Sequence, residues 1–302
     1  MPGADHPPAP TLADTWSQRT VPPSASSADP FASGRSPTPG EGFAREPAVG
    51  ASRGRNMSFS LGVPLKLTGE LSASCTRATG RNLLAVGGAV EQVAGMLTGA
   101  ALGAIAVGRH QPSGSRDTVV SVADFEVDIG LSDRIDQLVA GSRGWVQVVR
   151  GMSIVDRLSH LSAEISERES LRGAMEPLPH LVVMVGLGNA SILRRGYDDA
   201  SGPAIDFQLV IQRGPAVGVH VLSLADSWRA VTRVLDADAV EEFVFRAALG
   251  LSRAATEDVL DTPGITPPPS GRGLLRDERG DLQAFVPYSP LDEPAALLGL
   301  IL

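Results

Sequence analysis

The chain has 302 residues, of which 43% are hydrophobic, 20% are charged and 4% are aromatic, and its formal net charge is −8. This length allows one large or two small globular domains, and an acidic surface argues against a general nucleic-acid binder because it repels phosphate. The single cysteine, Cys75, excludes an intramolecular disulfide and a zinc site built on several cysteines. No basic stretch leading into an apolar run marks the first residues, so we expect a cytoplasmic rather than a secreted protein.

The sequence divides into a predicted disordered arm, residues 1–55, and a globular domain, residues 56–302. The arm holds 10 of the 23 prolines and has no apolar periodicity, so it cannot bury enough surface to offset its ordering entropy. Its five arginines balance five acidic residues, and the net charge therefore belongs to the domain. A role of the arm as a partner-binding tail is left open by its composition.

Short apolar runs alternate with helical stretches through the first half of the domain. The predicted strands are 59–63, 67–75, 82–86, 118–123 and 146–149. The predicted helices are a stretch that follows Gly87-Gly88 and ends near residue 106, and the ranges 132–140 and 154–169. The strand 82–86 is apolar on both faces and is followed directly by Gly87-Gly88, as expected for a strand buried in the middle of a sheet.

The second half continues the alternation. It contains predicted strands at 180–185, 217–224 and 242–249, predicted helices at 204–213, 227–235 and 254–260, and a proline-rich loop at 262–271. The alternation of residues 242–249 around two phenylalanines favours a strand nearer an edge, and 273–276 with 282–286 reads as a hairpin. Such a pattern predicts an α/β domain with a mainly parallel sheet.

One uncharged stretch, residues 92–108, has nearly the length of a membrane span. Alanine and glycine dominate it, and a helix packed tightly between a sheet and its neighbours needs such small residues. We therefore expect a buried helix and not a transmembrane one.

An apolar strand, a glycine pair and a long helix form the setting of a phosphate-binding loop. The motif G-x-x-x-x-G-K-[ST], counted from Gly87, puts Gln92 at the second glycine, Val93 at the lysine and Ala94 at the hydroxyl. The only lysine of the chain, Lys66, lies before the strand. The charged part of the motif is therefore missing.

The second requirement of phosphoryl transfer is an acidic residue at the end of a neighbouring apolar strand, which holds Mg²⁺. The best candidate strand, 181–185, runs into Gly186-Leu187-Gly188-Asn189 without a carboxylate. Without lysine, hydroxyl and acid, no group neutralises the transferred phosphoryl, so hydrolysis is not expected.

Five segments stand in a recognisable order along the chain: 82–88 (NLLAVGG), 180–186 (HLVVMVG), 214–226 (GPAVGVHVLSLAD), 243–252 (FVFRAALGLS) and 271–275 (GRGLL). They resemble, in turn, the phosphate-loop strand, the metal-binding strand, the histidine strand, the arginine strand and the glycine turn of FtsK/SpoIIIE-type DNA-translocase motor domains. The resemblance covers roughly residues 57–290. It is greatest to degenerate C-terminal modules of large FtsK/SpoIIIE-like proteins and to the later ATPase modules of type VII secretion motors.

The resemblance implies a RecA-like P-loop NTPase fold, with a mainly parallel sheet and helices on both faces. It matches Gly87 and Gly88 to the start of the nucleotide loop, with Gln92 as a vestigial contact, and Arg246 to an arginine that faces a neighbouring subunit. The chain departs from the family at 225–227, where a Thr-Gln-Arg type sensor is expected, and at Gln92, Val93, Ala94, Gly186 and Leu187. Inheritance of the fold is therefore safer than inheritance of the activity.

Carried over, the resemblance implies a non-catalytic assembly, regulatory or partner-binding subunit of a DNA-translocation or secretion machine. Its expected partner is a homologous active motor subunit, in a homo- or hetero-oligomer, with DNA contacted indirectly if at all. No cofactor or metal is required, and binding of ATP or ADP without hydrolysis is left open. The alternatives are an active motor component with a non-standard nucleotide site and a module that binds a peptide signal.

Several candidate residues have plainer interpretations. A tight turn from strand to helix needs glycine at Gly87-Gly88 even without a nucleotide. His220 lies inside an apolar strand, which is typical of a hydrogen-bonded core histidine, and Ser223 has no recognisable triad partners. The remaining arginines have acidic neighbours in sequence, so surface ion pairing is the simplest expectation for them. The charges of helix 154–169 indicate a solvated face.

Overall fold

The computed structural model describes residues 57–65, 71, 73–109, 119–171, 177–194 and 201–288. The arm, Lys66 and part of the second predicted strand lie outside these ranges. The strands are β1 Met57–Phe59, β2 Gly62–Pro64, β3 Ala73–Cys75, β4 Leu83–Gly87, β5 Val120–Asp124, β6 Val146–Val149, β7 His180–Val185, β8 Val219–Ala225, β9 Phe245–Leu249, β10 Gly273–Arg276 and β11 Leu282–Pro287. The α-helices are α1 Val90–Arg109, α2 Ile129–Gly141, α3 Ser153–Ser170, α4 Pro203–Arg213, α5 Trp228–Val231, α6 Ala237–Glu241 and α7 Arg253–Leu260.

Nine strands form one sheet in the order β2-β11-β10-β9-β4-β8-β7-β5-β6. The pairs from β9 through β6 are parallel, and β10, β11 and β2 add antiparallel strands at one side. The predicted α/β architecture with a mainly parallel sheet and a closing hairpin is confirmed. The predicted edge position of residues 242–249 is wrong, because β9 is the fourth strand from its side and all five of its residues are buried.

Two apolar cores lie on opposite faces of the sheet, because successive side chains of a strand point to opposite sides. Leu83 and Ala85 of β4 contact one core together with α1 and α2. Leu84 and Val86 contact the other, with α3 and α4. The expected helices on both faces are thereby confirmed.

Helix α1 occupies the centre of the first core. Among the described residues, α1 is the one helix that is long and apolar enough to cross a membrane, but most of that stretch is buried inside the fold. A Cβ on Gly99 would lie 2.3 Å from the carbonyl oxygen of Ser60, and one on Gly103 would lie 3.0 Å from that of Ser58. The small residues thus let the β1–β2 segment lie directly on the helix, which agrees with the predicted buried helix.

Parallel strands end at a common edge, which we call the carboxyl edge; β4, β5, β6, β7, β8 and β9 all end there. The buried amide of Asn82 fixes the start of β4. Its Nδ2 donates to the carbonyl oxygens of Ile211 and Glu242 at 2.8 and 2.9 Å, and its Oδ1 accepts from the Val221 amide at 2.8 Å. β4 is therefore held rigidly between β8, β9 and α4 as it leads to the glycine pair.

Helix boundaries differ from the prediction beyond β8. The predicted helix 227–235 is shorter, Trp228–Val231, and a second short helix, α6, was missed. The Asp236 side chain accepts a hydrogen bond from the Ala239 amide at 2.8 Å and so caps a new helix. The predicted strand 59–63 is likewise divided into β1 and β2.

Candidate functional site

The glycine pair forms a very short junction between β4 and α1 at the carboxyl edge. Gly87 ends the strand, α1 begins at Val90, and only Gly88 and Ala89 lie between them. Gly87 and Gly88 have φ angles of +84° and +93°, in the left-handed region that favours glycine. The motif count puts Gln92 at the position of the second glycine, and the structure places Gln92 inside the first turn of α1.

Two backbone amides of this junction already have partners within the chain. The Gly88 amide donates to the carbonyl oxygen of Leu249 in β9 at 3.0 Å. The Ala89 amide donates to Oε1 of Gln92 at 3.0 Å, as in the reciprocal half of a helix capping box. In a phosphate loop such amides point at the ligand; here they donate to a carbonyl and to a side-chain amide.

The electrostatics at the start of α1 also oppose an anion. Glu91 lies in the first turn, where a carboxylate complements the helix dipole and repels a second negative group. Val93 packs partly against the first core, and Ala94 is buried in it. The positions that the motif assigns to lysine and hydroxyl thus belong to the packed side of α1.

Replacing Gln92 by alanine tests this cap. The variant leaves the Ala89 amide without its partner, so we expect the free energy of unfolding to fall by about 1 kcal/mol. Gln92→Glu is the matched control, because it keeps an acceptor oxygen and adds a favourable charge near the helix start. Urea unfolding of both variants measures the difference, and equal stability of Gln92→Ala and the unaltered chain would contradict the role of the cap.

An acidic residue lies beside the end of β4, but it follows β8 and not β7, the strand that the sequence indicated as the metal-binding strand. β7 ends in Gly186 and a short 3-10 helix, Leu187–Asn189, and it is separated from β4 by β8. Asp226 directly follows β8, the strand paired with β4, and its Oδ1 accepts from the Ser227 hydroxyl at 3.2 Å. The sequence analysis placed Asp226 at the end of the histidine-strand segment and in the departure from the family sensor, without assigning it a role in metal binding.

Arg246 lies within β9 and is 93% buried, with 7% of its surface exposed. Its Nε donates to the carbonyl oxygen of Phe243 at 3.1 Å and its Nη2 to that of Val240 at 3.2 Å. Burial and the charge of Arg276, its partner across β10, lower the pKa of the Arg246 guanidinium. In this structure the side chain joins β9 to the end of α6, and its role at a subunit interface stays a prediction.

A buried polar network at the opposite edge of the sheet was missed by sequence reasoning. Ser121 Oγ lies 2.9 Å from Nε2 of His180, and Nδ1 of His180 lies 3.4 Å from Oε1 of Glu164. The order serine, histidine, carboxylate resembles a catalytic relay. However, Ser121 is buried and accepts two hydrogen bonds from Arg157, at 3.0 and 2.8 Å, so its oxygen is not placed to attack a substrate.

The network changes the interpretation of α3. Glu164 and Arg168 form an ion pair, and Arg168 also donates to the carbonyl oxygen of Val217. Burial alone would raise the pKa of Glu164, but its hydrogen bond with His180 and the arginine charges hold that pKa well below its usual range. The expectation of a solvated face is therefore wrong for these two residues, which connect α3 to β7 and to Val217 just before β8.

The other candidates lie as the plainer interpretations predicted or outside the described residues. His220 is buried in β8 and its Nδ1 lies 2.9 Å from the carbonyl oxygen of Arg81, which confirms a hydrogen-bonded core histidine. The Ser223 hydroxyl is buried without a hydrogen-bond partner. Arg213 pairs with Glu169 of α3, an acid remote in sequence, and Arg195 is not described.

Comparisons with known proteins give matches among solved structures. No protein-family model matches the chain, and no curated protein matches it. The pCW3 conjugation coupling protein TcpA, in a monomer form with ATPγS, is 15% identical with a TM-score of 0.57, covering 80% of this chain and 69% of that chain.

Two type VII secretion structures give similar values. ATPases 2 and 3 of Thermomonospora curvata EccC, in complex with a signal sequence peptide, are 15% identical with a TM-score of 0.54, covering 84% of this chain and 48% of that chain. ATPases 2 and 3 of EssC from Geobacillus thermodenitrificans are 13% identical with a TM-score of 0.55, covering 88% and 51%. This chain thus spans about half the length of each. The chain has the P-loop NTPase fold of such ATPase modules, and the resemblance inferred from the sequence is confirmed at the level of the fold.

Proposed function

We propose that this chain is a non-catalytic module of P-loop ATPase fold that serves as an assembly, regulatory or partner-binding subunit of a DNA-translocation or secretion machine. One observation carries the proposal: the end of α1 that would face a phosphate is closed by the chain itself. Gly88 donates to Leu249, and the Ala89 amide donates to the Gln92 side chain.

The chemistry of phosphoryl transfer supports the same interpretation. The transferred group carries charge that a lysine, a metal ion and its ligands must neutralise. At the motif positions this chain has Val93 and Ala94, both packed against the first core, and Glu91 adds negative charge beside them. The sheet is kept while the groups that stabilise the transition state are not in place.

The structural neighbours indicate the kind of multi-subunit machine in which we place this chain. These neighbours are a conjugation coupling protein with ATPγS and two secretion ATPases, one of them in complex with a signal sequence peptide. By this analogy of fold we propose a homologous active motor subunit as the partner of this chain. The net charge of −8 disfavours a DNA-lined pore of its own, so DNA contact would be indirect.

Calorimetric titration of Mg·ATP into the full chain, with a parallel assay of phosphate release, tests the proposal. We expect no saturable heat at millimolar nucleotide, since a dissociation constant of about 1 mM corresponds to only about 4 kcal/mol of binding free energy. We also expect turnover no higher than the uncatalysed background.

Gly88→Val and Gly144→Val separate a real activity from a contaminant. Both glycines have φ +93°, but Gly144 has open space around it and lies away from the junction, so the two variants carry a similar backbone strain. Phosphate release that Gly88→Val abolishes and Gly144→Val keeps would overturn the proposal in favour of an active motor component. Micromolar binding without turnover would instead make the chain a nucleotide sensor.

A further inference from the structure

One buried histidine has hydrogen-bonding partners on both of its ring nitrogens. His180 begins β7, and only 3% of its surface is exposed. Its Nε2 lies 2.9 Å from Oγ of Ser121 in β5 and 3.2 Å from Nη2 of Arg157 in α3. Its Nδ1 lies 3.4 Å from Oε1 of Glu164, which also belongs to α3. These partners decide which of the two nitrogens carries the proton.

The Arg157 guanidinium fixes the tautomer of His180. An arginine side chain has donors and no acceptor, so its contact with Nε2 of His180 requires a lone pair on that nitrogen. The Ser121 oxygen accepts from Nε and Nη2 of Arg157 at 3.0 and 2.8 Å. Both of its lone pairs are then used, and its own proton is left to donate to Nε2 of His180. His180 is therefore neutral, and its proton lies on Nδ1 and is donated to Glu164.

Helix α3 has two polar attachments to the sheet, and only the first depends on Nε2 of His180. Arg157 lies at the start of the second helical turn, and its hydrogen bonds hold the first half of α3, residues 153–161, against β5 and β7. The second half is attached separately. Glu164 pairs with Arg168, which donates to the carbonyl oxygen of Val217 at 3.1 Å.

Protonation of His180 is incompatible with the first attachment. A proton taken from water onto Nε2 would face an N–H group of Arg157 and the hydroxyl proton of Ser121. The hydroxyl cannot turn to accept this proton, because Arg157 occupies both lone pairs of its oxygen. The contact with Glu164 is kept, since Nδ1 carries a proton in both states and a charged ring donates more strongly to a carboxylate. Protonation therefore breaks the bond to Arg157 and spares the bond to Glu164.

The charged groups around His180 all belong to α3. They are Arg157, Glu164 and Arg168. The other neighbouring elements, β5, β8 and the turn before β8, contribute residues that do not titrate, namely Ser121, Val219 and Gly218. Burial and the two arginine charges lower the pKa of His180, and the hydrogen bond and charge of Glu164 offset this only in part. The attached form therefore excludes the proton at neutral pH.

We propose that His180 is a proton-dependent switch for the first half of α3. Neutral His180 holds Arg157 against β5, and uptake of one proton from water at Nε2 releases Arg157. The helix then opens locally around that residue, while the second attachment and the two apolar cores keep the domain folded. The released half begins at the carboxyl edge beside a cavity of about 260 Å³ that Met152 lines, and this is the edge at which α/β folds bind ligands. The switch is independent of the proposed function, because it involves neither nucleotide nor motor partner.

The tautomer is measured by NMR of the imidazole nitrogens in the full chain at neutral pH. Comparison with His180→Gln identifies the signals of His180, because they are the ones that this variant loses. We expect Nδ1 to carry the proton and Nε2 to carry none. A ring protonated at Nε2, as predominates for histidine in water, would overturn the proposal, and so would a ring protonated at both nitrogens.

Hydrogen exchange of the backbone amides measures the release. Between pH 7.5 and pH 5, the protection of residues 155–161 should fall by about tenfold after correction for the intrinsic rate, because the open form binds a proton that the closed form excludes. Helix α7 is the internal control, since its residues take no part in the network. An equal loss of protection in α7 would indicate unfolding of the whole domain and would overturn the proposal.

Three variants assign the switch to particular groups. His180→Gln supplies an acceptor oxygen that does not titrate, so the protection of α3 should be the same at both pH values. Ser121→Ala removes an acceptor of Arg157, so the protection should already be about tenfold lower at pH 7.5. Ser223→Ala is the matched control. It removes a hydroxyl that is also buried in a strand but has no hydrogen-bond partner among the described residues, and it should leave α3 unchanged. A pH-dependent loss that persisted in His180→Gln would contradict the proposal.

Discussion

Replacing Gly87 by alanine is expected to lower the free energy of unfolding by about 2–5 kcal/mol. A Cβ at this position would lie 2.2 Å from the carbonyl oxygen of Leu249 and 2.7 Å from the side chain of Leu251. To this overlap, which costs about 1–3 kcal/mol in a packed core, the left-handed φ of +84° adds about 1–2 kcal/mol. Urea or thermal unfolding of the full chain measures the sum.

Two further alanine variants divide the effect into its parts. Gly280→Ala has nearly the same φ, +83°, with open space around it, so it should carry only the backbone part of about 1–2 kcal/mol. Gly88→Ala, with its nearest neighbours at 3.4 and 3.5 Å, should fall between the two. If Gly87→Ala lowered the free energy of unfolding no more than Gly280→Ala, the close packing of β4 against β9 would not be the reason that this position requires glycine.

Acidification is expected to destabilise the fold well before its carboxylates are protonated. Burial, opposed by the hydrogen bond to the Arg81 carbonyl and reinforced by nearby arginine charges, lowers the pKa of His220 from 6.5 to about 4. His220 therefore binds a proton more weakly in the folded state than in the unfolded state. The contribution of neutral His220 to the free energy of unfolding is fully present above about pH 6.5 and is lost as the pH falls toward 4. Between pH 7.5 and pH 5 this loss lowers the free energy of unfolding by about 2 kcal/mol.

His220→Asn isolates this contribution, because an asparagine amide can still donate to the Arg81 carbonyl oxygen but does not titrate. Burial also lowers the pKa of His180, which adds a loss of the same sign. The variant should therefore keep part of the pH dependence and lose the part that belongs to His220. Denaturant unfolding at pH 7.5, 6 and 5 compares the variant with the unaltered chain. If the free energy of unfolding changed equally with pH in both, His220 would not be the source of the pH dependence.

The sheet was largely predictable because its strands are continuous apolar runs bounded by glycine or polar residues. β7 was located to the residue, since His180–Val185 is such a run. β9 was misplaced because the alternation around Phe243 and Phe245 was read as burial on one face. Both faces of β9 are covered, and Arg246 is accommodated by backbone carbonyl groups, which no sequence period reveals.

The junction at β4 was located but its shape was not. Spacing identified Gly87, Gly88 and Gln92, yet counting along a motif assumes an extended loop and does not show where the helix starts. The cap that shortens the loop pairs Ala89 with Gln92, and it lacks the Ser or Thr that signals a capping box in a sequence. The network of Ser121, Glu164 and His180 joins residues far apart in the chain, so it left no local signal.

The two-residue connection between β4 and α1 bears on how this chain could change over evolutionary time. A substitution that placed lysine at Val93 or a hydroxyl at Ala94 would put a polar group on the packed side of α1 and leave the junction as short as before. Each such substitution lowers the stability of the fold and adds no phosphate contact. Natural selection would therefore not favour these substitutions one at a time. The motif spacing already fits residues 87–94, so a phosphate site at this position calls first for a later start of α1, in which residues 88–92 form a loop.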